Sequence, residues 1–346
     1  MIKYKVQINL MGGLGMNVYL NSKELIHDER FIREPADKYG RDLQENSSSK
    51  IILNSGRGTG KSVILNNMEN KNIGTNEPVI YTHFDSIVNF SRVPNKLFND
   101  IFFEHYYEIN FSWKILNYIK KYYGLTYENY FKDIELLLKK ITEEFDKNVR
   151  RIYVDELDIN NPLSTTQISA EIIERLKKHL DISSLILAID RFDWTNGRSN
   201  YTQQILSKYF DMFNKVIITS DDESLIDEKK RKLFEAEGYS FVSQNYGNDL
   251  AVIKSIIKRR VQVYNSMNSD CQFNIDDVTD VIYENLIKNS NGNISTMLTT
   301  IYEVINLSKW ENGNVNLPDL FQKYLEEQNN HLKELKKISV PPRLHL

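Results

Sequence analysis

Through the middle of the chain, short continuous apolar runs alternate with longer stretches in which apolar positions recur every three or four residues. The runs are the opening of 51–65 (IILNSGRGTGKSVIL), 78–84 (PVIYTHF), 184–193 (SLILAIDRFD), 215–220 (KVIITS) and the short 239–242 (YSFV). Runs of this length, bounded by polar and turn residues, predict strands, and runs that do not alternate predict strands buried on both faces. A further run, 151–158 (RIYVDELD), also reads as a strand. Helical periodicity covers 94–146, 168–180 (ISAEIIERLKKHL) and 201–213. Strands and helices in alternation imply an α/β fold with a parallel sheet sandwiched by helices.

The two ends read differently. Residues 3–10 alternate in period two and 17–20 are extended again after MGGLG, which predicts a small β-hairpin within 1–28. An acidic and basic helical segment from residue 29, then the polar loop 45–49, leads into the first strand. After 249 no strand is evident; 250–264, 275–288 and 294–308 are helical, Asn291-Gly292-Asn293 punctuates them, and a charged helix runs 317–337. The expected division is a 1–28 hairpin segment, a 29–245 core, a 246–337 all-helical domain and a 338–346 tail that Pro341-Pro342 keeps out of a helix.

Composition narrows the class. The chain has 346 residues, 41% hydrophobic and 26% charged, the balance of a soluble globular protein. No apolar run reaches the length of a membrane span and the N-terminus lacks a signal-peptide core, so no membrane is expected. Cys271 is the only cysteine, which excludes a disulfide framework and points to the cytoplasm. A net charge of −3 is not that of a protein that coats nucleic acid, and the basic clusters 229–232 and 258–260 read as solvated helix faces. The aromatics Phe102, Phe103, Tyr106, Tyr107, Trp113, Tyr118 and Tyr122 read as core, with a base-stacking platform as the other reading.

The candidate chemistry lies after the first strand. Ser55, Gly56, Arg57, Gly58, Thr59, Gly60, Lys61 and Ser62 form a glycine-rich turn that opens a helix. Gly58 and Gly60 let the backbone curl so that N–H groups converge on an anion at the positive end of the helix. Lys61 would reach the β- and γ-phosphates of ATP, and the Ser62 hydroxyl would hold Mg²⁺. The strict phosphate-loop pattern has glycine at position 55, where this chain has Ser55 followed by Gly56.

Such a loop needs an acidic residue at the end of a neighbouring buried strand to bind Mg²⁺ through water, and a carboxylate to polarise the attacking water. RIYVDELD supplies both, as Asp155 and Glu156; SLILAIDRFD supplies Asp190 but has Arg191 where the glutamate would stand. The apolar run before Asp190 suits a buried strand better, and KVIITS, with Thr219 and Ser220 as sensor-type polar residues, follows it closely. Both aspartates stay open, Asp190 ahead, and Glu156 is the candidate base. The six histidines, His27, His83, His105, His179, His331 and His345, show no metal-ligand spacing.

Over residues 31–307 the chain resembles the AAA+ and STAND ATPases, in particular the branch of origin-recognition-like initiators and archaeal-type ATPases. FIREPADKYGRDL resembles that branch's helix ahead of the loop, GRGTGKS its phosphate loop and IDRFDW its second motif. KVIITSDD resembles its sensor strand, and YSFVSQNYGNDLAVIKSIIKRRV its last strand leading into a helical lid. NSNGNISTML occupies the place of the lid's sensor helix, with Ser295 and Thr296 where an arginine is expected. The resemblance implies a P-loop NTPase that binds ATP and Mg²⁺, assembles into a homo-oligomer and acts on DNA; the departures from it, Arg191 and the missing arginine at Ser295 and Thr296, imply slow hydrolysis. The second reading is a nucleotide-controlled signalling or defence switch acting on a protein partner through the tail or hairpin. Arg231, Arg259 and Arg260 are the candidates for an arginine presented to a neighbouring subunit.

Overall fold

The computed structural model describes residues 33–56, 58–83, 100–154, 168–192, 210–220, 228–243, 246–267, 278–310, 319, 321–324 and 326–327. Outside these lie the expected hairpin, Arg57, Asp155, Glu156, most of the 201–213 and 317–337 helices, and the tail.

Helix α1 (Arg33–Glu45) leads into β1 (Lys50–Asn54), α2 (Lys61–Lys71) and β2 (Val79–His83). Three helices follow, α3 (Asp100–Tyr122), α4 (Gly124–Tyr130) and α5 (Lys132–Val154), then α6 (Ile168–Leu180) and β3 (Ile186–Asp190). After β4 (Lys215–Ser220) come α7 (Glu228–Ala236) and β5 (Tyr239–Val242), a 3₁₀ turn (Tyr246–Asn248), and α8 (Leu250–Met267), α9 (Asp280–Ser290) and α10 (Ile294–Trp310). The five strands form one sheet in the order β2-β3-β4-β1-β5, and every pairing is parallel. This is the α/β architecture that the alternating pattern predicts. From β1 the chain crosses to the far edge at β2, while β5 joins on the other side of β1, so the strand order reverses at β1. In open parallel sheets, such reversals are where ligands meet the carboxyl ends of the strands.

The chain divides into two compact units. One comprises Asp37–Ser55 and Ile64–Gln244; the other comprises Met1–Ala36, Gly56–Val63 and Asn245–Leu346. In the first, Ile52, Ile80, Leu187, Ile189, Val216 and Ile218 pack with Phe111, Ile115, Ile119, Leu138, Ile172 and Leu176 of α3, α5 and α6. Ile51 and Leu53 point to the opposite face by the pleat and are equally buried. The second has its own core, in which Ile253, Ile257 and Val261 meet Ile282, Leu286, Leu298 and Ile301. Among the described residues no helix is long and apolar enough to cross a membrane.

Residues 151–154 correct the sequence expectation: they end α5 and form no strand. The amphipathic run that buries Ile134, Leu138 and Phe145 meets no breaker before Val154. The β preference of Ile152, Tyr153 and Val154 is therefore overridden by helix propagation. Of the aromatic series, Tyr118 is buried, Trp113 and Tyr122 pack against the same core, and the Trp113 indole N–H donates to Thr142 Oγ1 at 2.9 Å. The core reading holds for these three.

Polar groups fix the edges of the first unit. On the edge strand β2, the Tyr81 N–H finds Glu69 Oε1 of α2 at 3.2 Å, so a charged side chain occupies an edge position that would otherwise be open to another strand. Lys215, at the start of β4, directs its ammonium at the C-terminal end of α1. It donates to the carbonyls of Leu43, Gln44 and Asn46 at 3.1, 2.5 and 2.6 Å, using all three of its donors. These are carbonyls without an intrahelical partner, at the negative end of the helix. Burial pulls the Lys215 pKa below its ordinary value, so the three carbonyls are what hold the charge in place. Lys215→Met, which keeps the stem and removes the donors, is expected to lower stability by about 2 kcal/mol. Urea unfolding of the two proteins checks it; equal midpoints would show that α1 is held by its apolar contacts alone.

Candidate functional site

The chain leaves β1 at Asn54 and re-enters regular structure at Lys61, the first residue of α2. Between them Gly58 and Gly60 have φ of 79° and 94°, a region that side chains rarely adopt. Both glycines are also closely approached within the second unit. A Cβ at Gly58 would run into the Asn293 carboxamide, and one at Gly60 into the Tyr246 hydroxyl. The Gly58 carbonyl accepts the Ile294 N–H at 3.1 Å, and Asn293 Oδ1 accepts the Thr296 N–H at 3.0 Å, capping α10. The loop is thus bonded directly to the start of α10.

Within the loop, Thr59 Oγ1 and Lys61 Nζ both donate to the Gly56 carbonyl, at 2.8 and 2.9 Å. Ser55, Thr59 and Lys61 are buried, and Ser62 is half-buried. A buried ammonium folded onto a loop carbonyl, beside two glycines and the start of a helix, is a donor set for an anion. The residues present therefore fit the phosphates of a nucleotide.

A second constellation belongs to the first unit, at the carboxyl ends of β2, β3 and β4. Asp190, the last residue of β3, is 1% exposed and lies in register with His83 on β2. Its Oδ1 accepts the Thr219 hydroxyl at 2.5 Å and the Arg191 N–H at 3.0 Å. Its Oδ2 accepts the Tyr81 hydroxyl at 3.1 Å and faces His83 Nδ1 at 3.3 Å. His83 Nε2 lies 3.1 Å from the Tyr81 hydroxyl oxygen, so Tyr81, His83 and Asp190 close a triangle. Four polar groups around one carboxylate match its roughly four acceptor sites. This meets the requirement that a buried charge be hydrogen-bonded.

Arg191 itself has a φ of 57°, in the left-handed region, and its N–H is shared with Thr219 Oγ1 at 2.9 Å. The Phe192 N–H donates to the Thr219 carbonyl at 2.9 Å, which ties the turn to β4. Ser220, the last residue of β4, is fully buried.

The sequence-predicted residues therefore fall into two groups. Gly56, Gly58, Thr59, Gly60, Lys61 and Ser62 lie in the loop and first turn of α2; Asp190, Thr219 and Ser220 lie at strand ends, with Asp190 and Thr219 hydrogen-bonded. Arg57, Asp155 and Glu156 lie outside the described residues. Of the three arginines, Arg260 corrects the expectation of a solvated face: it is buried, on the core side of α8 with Ile253 and Ile257. Arg231 pairs with Glu235 at 2.9 Å and lies over the Phe241 ring, and Arg259 is half-exposed.

Sequence reasoning missed Tyr81, His83, Tyr246 and Asn293. His83 had one legible signal: it ends an apolar strand, the position at which Asp190 and Ser220 also stand. Asn293 had another, an Asn-Gly-Asn run immediately before a helix. Models of protein families give no match to the chain, and neither do the sequences of curated proteins.

The close approach at Gly60 is testable. Gly60→Ala is expected to cost at least about 2 kcal/mol, from the left-handed φ and the displaced phenol ring. Adding Tyr246→Ala should return about 1 kcal/mol of that loss, because the collision disappears and the φ strain does not. Thermal unfolding of the single and double variants measures the cycle; strict additivity would mean that the ring does not press on the loop.

Proposed function

We propose that this chain is a nucleotide-binding P-loop ATPase with a C-terminal helical domain, related to the AAA+ class, which binds ATP with Mg²⁺ and uses binding, more than turnover, to control assembly. The observation that carries this reading is the loop after β1: two glycines at positive φ, followed by a buried lysine that opens a helix. The five-stranded parallel sheet, with its order reversing at β1, supports the same reading.

In this mechanism Lys61, which here donates to the Gly56 carbonyl, would hold the β- and γ-phosphates together with N–H groups at the start of α2. Ser62 would be the loop's ligand for Mg²⁺, and Asp190 is the carboxylate proposed for that cation's water shell. The cation supplies charge neutralisation on the phosphates. Phosphates and waters would complete the coordination of such a cation. Thr219 holds Asp190 Oδ1 and orients the carboxylate. Turnover is slow, because the residue after Asp190 is an arginine in the left-handed region and cannot polarise water as a base.

Assembly on DNA remains the partner proposed for the ATP-bound form. A nucleotide-controlled switch on a protein partner is the second reading, favoured by Arg191, since slow hydrolysis prolongs a bound state.

Lys61→Ala is expected to abolish binding of a fluorescent ATP analogue, by at least about 100-fold, with little change in melting temperature. Unchanged affinity would remove the phosphate-loop reading. For the wild-type protein, light scattering should report larger species with ATP and Mg²⁺, strengthened by DNA in a salt-dependent way. Charge reversal at Arg259, the half-exposed arginine of α8, should prevent this assembly. A particle that binds ATP yet stays monomeric with DNA present would favour the switch.

A further inference from the structure

Helix α5, in the first compact unit, has apolar residues on two of its faces. Ile134, Leu138 and Phe145 recur at helical spacing and are buried, with Ile141 packed against the same core. On another face stand Asp133, Leu136, Leu137 and Lys140, three and four residues apart and all exposed. Leu136 and Leu137 are 55% and 50% exposed; of the large apolar side chains exposed among the described residues, they are the only two adjacent in the chain. Asp133 accepts Arg175 Nη1 at 2.8 Å and keeps most of its side chain in solvent, so it has acceptor sites to spare.

Along this face the order is carboxylate, two leucines, ammonium. Reversed, with the signs exchanged, the order is the same, which is what a two-fold interface requires: if residue i meets j on the other copy, j also meets i. We propose that this face of α5 binds a second copy of this chain, the two helices pairing antiparallel about a two-fold axis between residues 136 and 137. Leu136 then meets Leu137 of the second copy, and Asp133 meets its Lys140, each contact occurring twice. Acidic and basic side chains alternate along the face, from Asp133 through Lys140 and Glu144 to Lys147, so it offers no positive field for a nucleic acid.

A second register competes with this one. Centred between Ile141 and Thr142, it would set Lys139 and Lys140 against Glu144 and Glu143, but Leu136 against Lys147 and Leu137 against Asp146. Exposed ion pairs contribute little beside buried apolar area, so the register that joins the leucines is favoured. It overlaps about ten residues of each helix, roughly 15 Å of contact. That lies at the small end of specific interfaces, and the dimer is correspondingly weak. The pairing needs no nucleotide and does not rest on the ATPase reading.

Sedimentation equilibrium of the full chain without nucleotide should show monomer and dimer with a Kd of roughly 10–100 μM. Replacing both leucines, Leu136→Gln with Leu137→Gln, keeps good helix formers and should raise Kd at least about 10-fold. Lys140→Glu should raise it by about 10-fold, because two like-charge contacts form, and adding Asp133→Lys should return it to within about 3-fold of wild type. Melting temperatures show which variants are folded. Should the loss of the Arg175 contact unfold the Asp133→Lys chain, salt decides instead: raising NaCl from about 50 mM to about 500 mM loosens the wild-type dimer and tightens that of Lys140→Glu. A chain that stays monomeric at about 500 μM overturns the proposal. So does a dimer indifferent to the leucine substitutions, since its interface lies elsewhere. A dimer that needs the leucines yet ignores the charge at 140, in affinity and in salt response, overturns the antiparallel pairing and with it the proposal.

Discussion

A parallel sheet buried on both faces leaves polar side chains one place to stand, the ends of its strands. In β1, β3 and β4 the interior positions are Ile51, Ile52, Leu53, Leu187, Ala188, Ile189, Val216, Ile217 and Ile218, all essentially inaccessible. A charged group inside those runs would lose its hydration without replacement. Because all the strands run the same way, every carboxyl end falls at one edge of the sheet, and Thr82, His83, Asp190, Thr219 and Ser220 collect there. Asp190 is still nearly inaccessible, so its carboxylate must be paid for by donors, and Tyr81, Thr219 and the Arg191 N–H supply them. The network is a stability requirement before it is chemistry.

Much of this was legible in the order of residues. The apolar runs 215–220 and 239–242 are strands with those bounds, and 184–193 holds a strand that ends three residues earlier, at Asp190, because a run buried on both faces has a hard boundary where polar residues begin. The loop was legible for a different reason: glycines two apart followed by Lys-Ser have few other uses before a helix. Residues 151–154 misled because a β-rich tetrapeptide carries only a weak local preference, and a helix already two or more turns long adds residues at little cost. The partners of Asp190 were hidden by separation. Tyr81 and Asp190 are 109 positions apart, and only the β2–β3 register joins them.

The glycine loop belongs with two neighbourhoods at once. Covalently it continues β1 and starts α2, while residues 56–63 group with the C-terminal helices, through the Gly58 carbonyl on the Ile294 N–H and through Tyr246 at Gly60. On the proposed reading, phosphates entering the loop must be felt at the first turn of α10 without an arginine there. Asn293 gives that contact a different physical basis: a neutral cap that holds loop and helix together, in place of a charge that reaches for the phosphate.

Arg191 carries the same distinction to the strand end. Its left-handed φ is held by two hydrogen bonds from its own N–H and by the Phe192 N–H on the Thr219 carbonyl. These bonds belong to the backbone, so they would persist with any side chain at 191. A left-handed Cα directs its side chain differently from a residue that continues a strand, whatever that side chain is. The residue type and the backbone therefore act in the same direction: position 191 offers no carboxylate, and its turn is built to satisfy Asp190. On the proposed ATPase reading, slow hydrolysis is the expected consequence of building the turn at 191 around the buried aspartate.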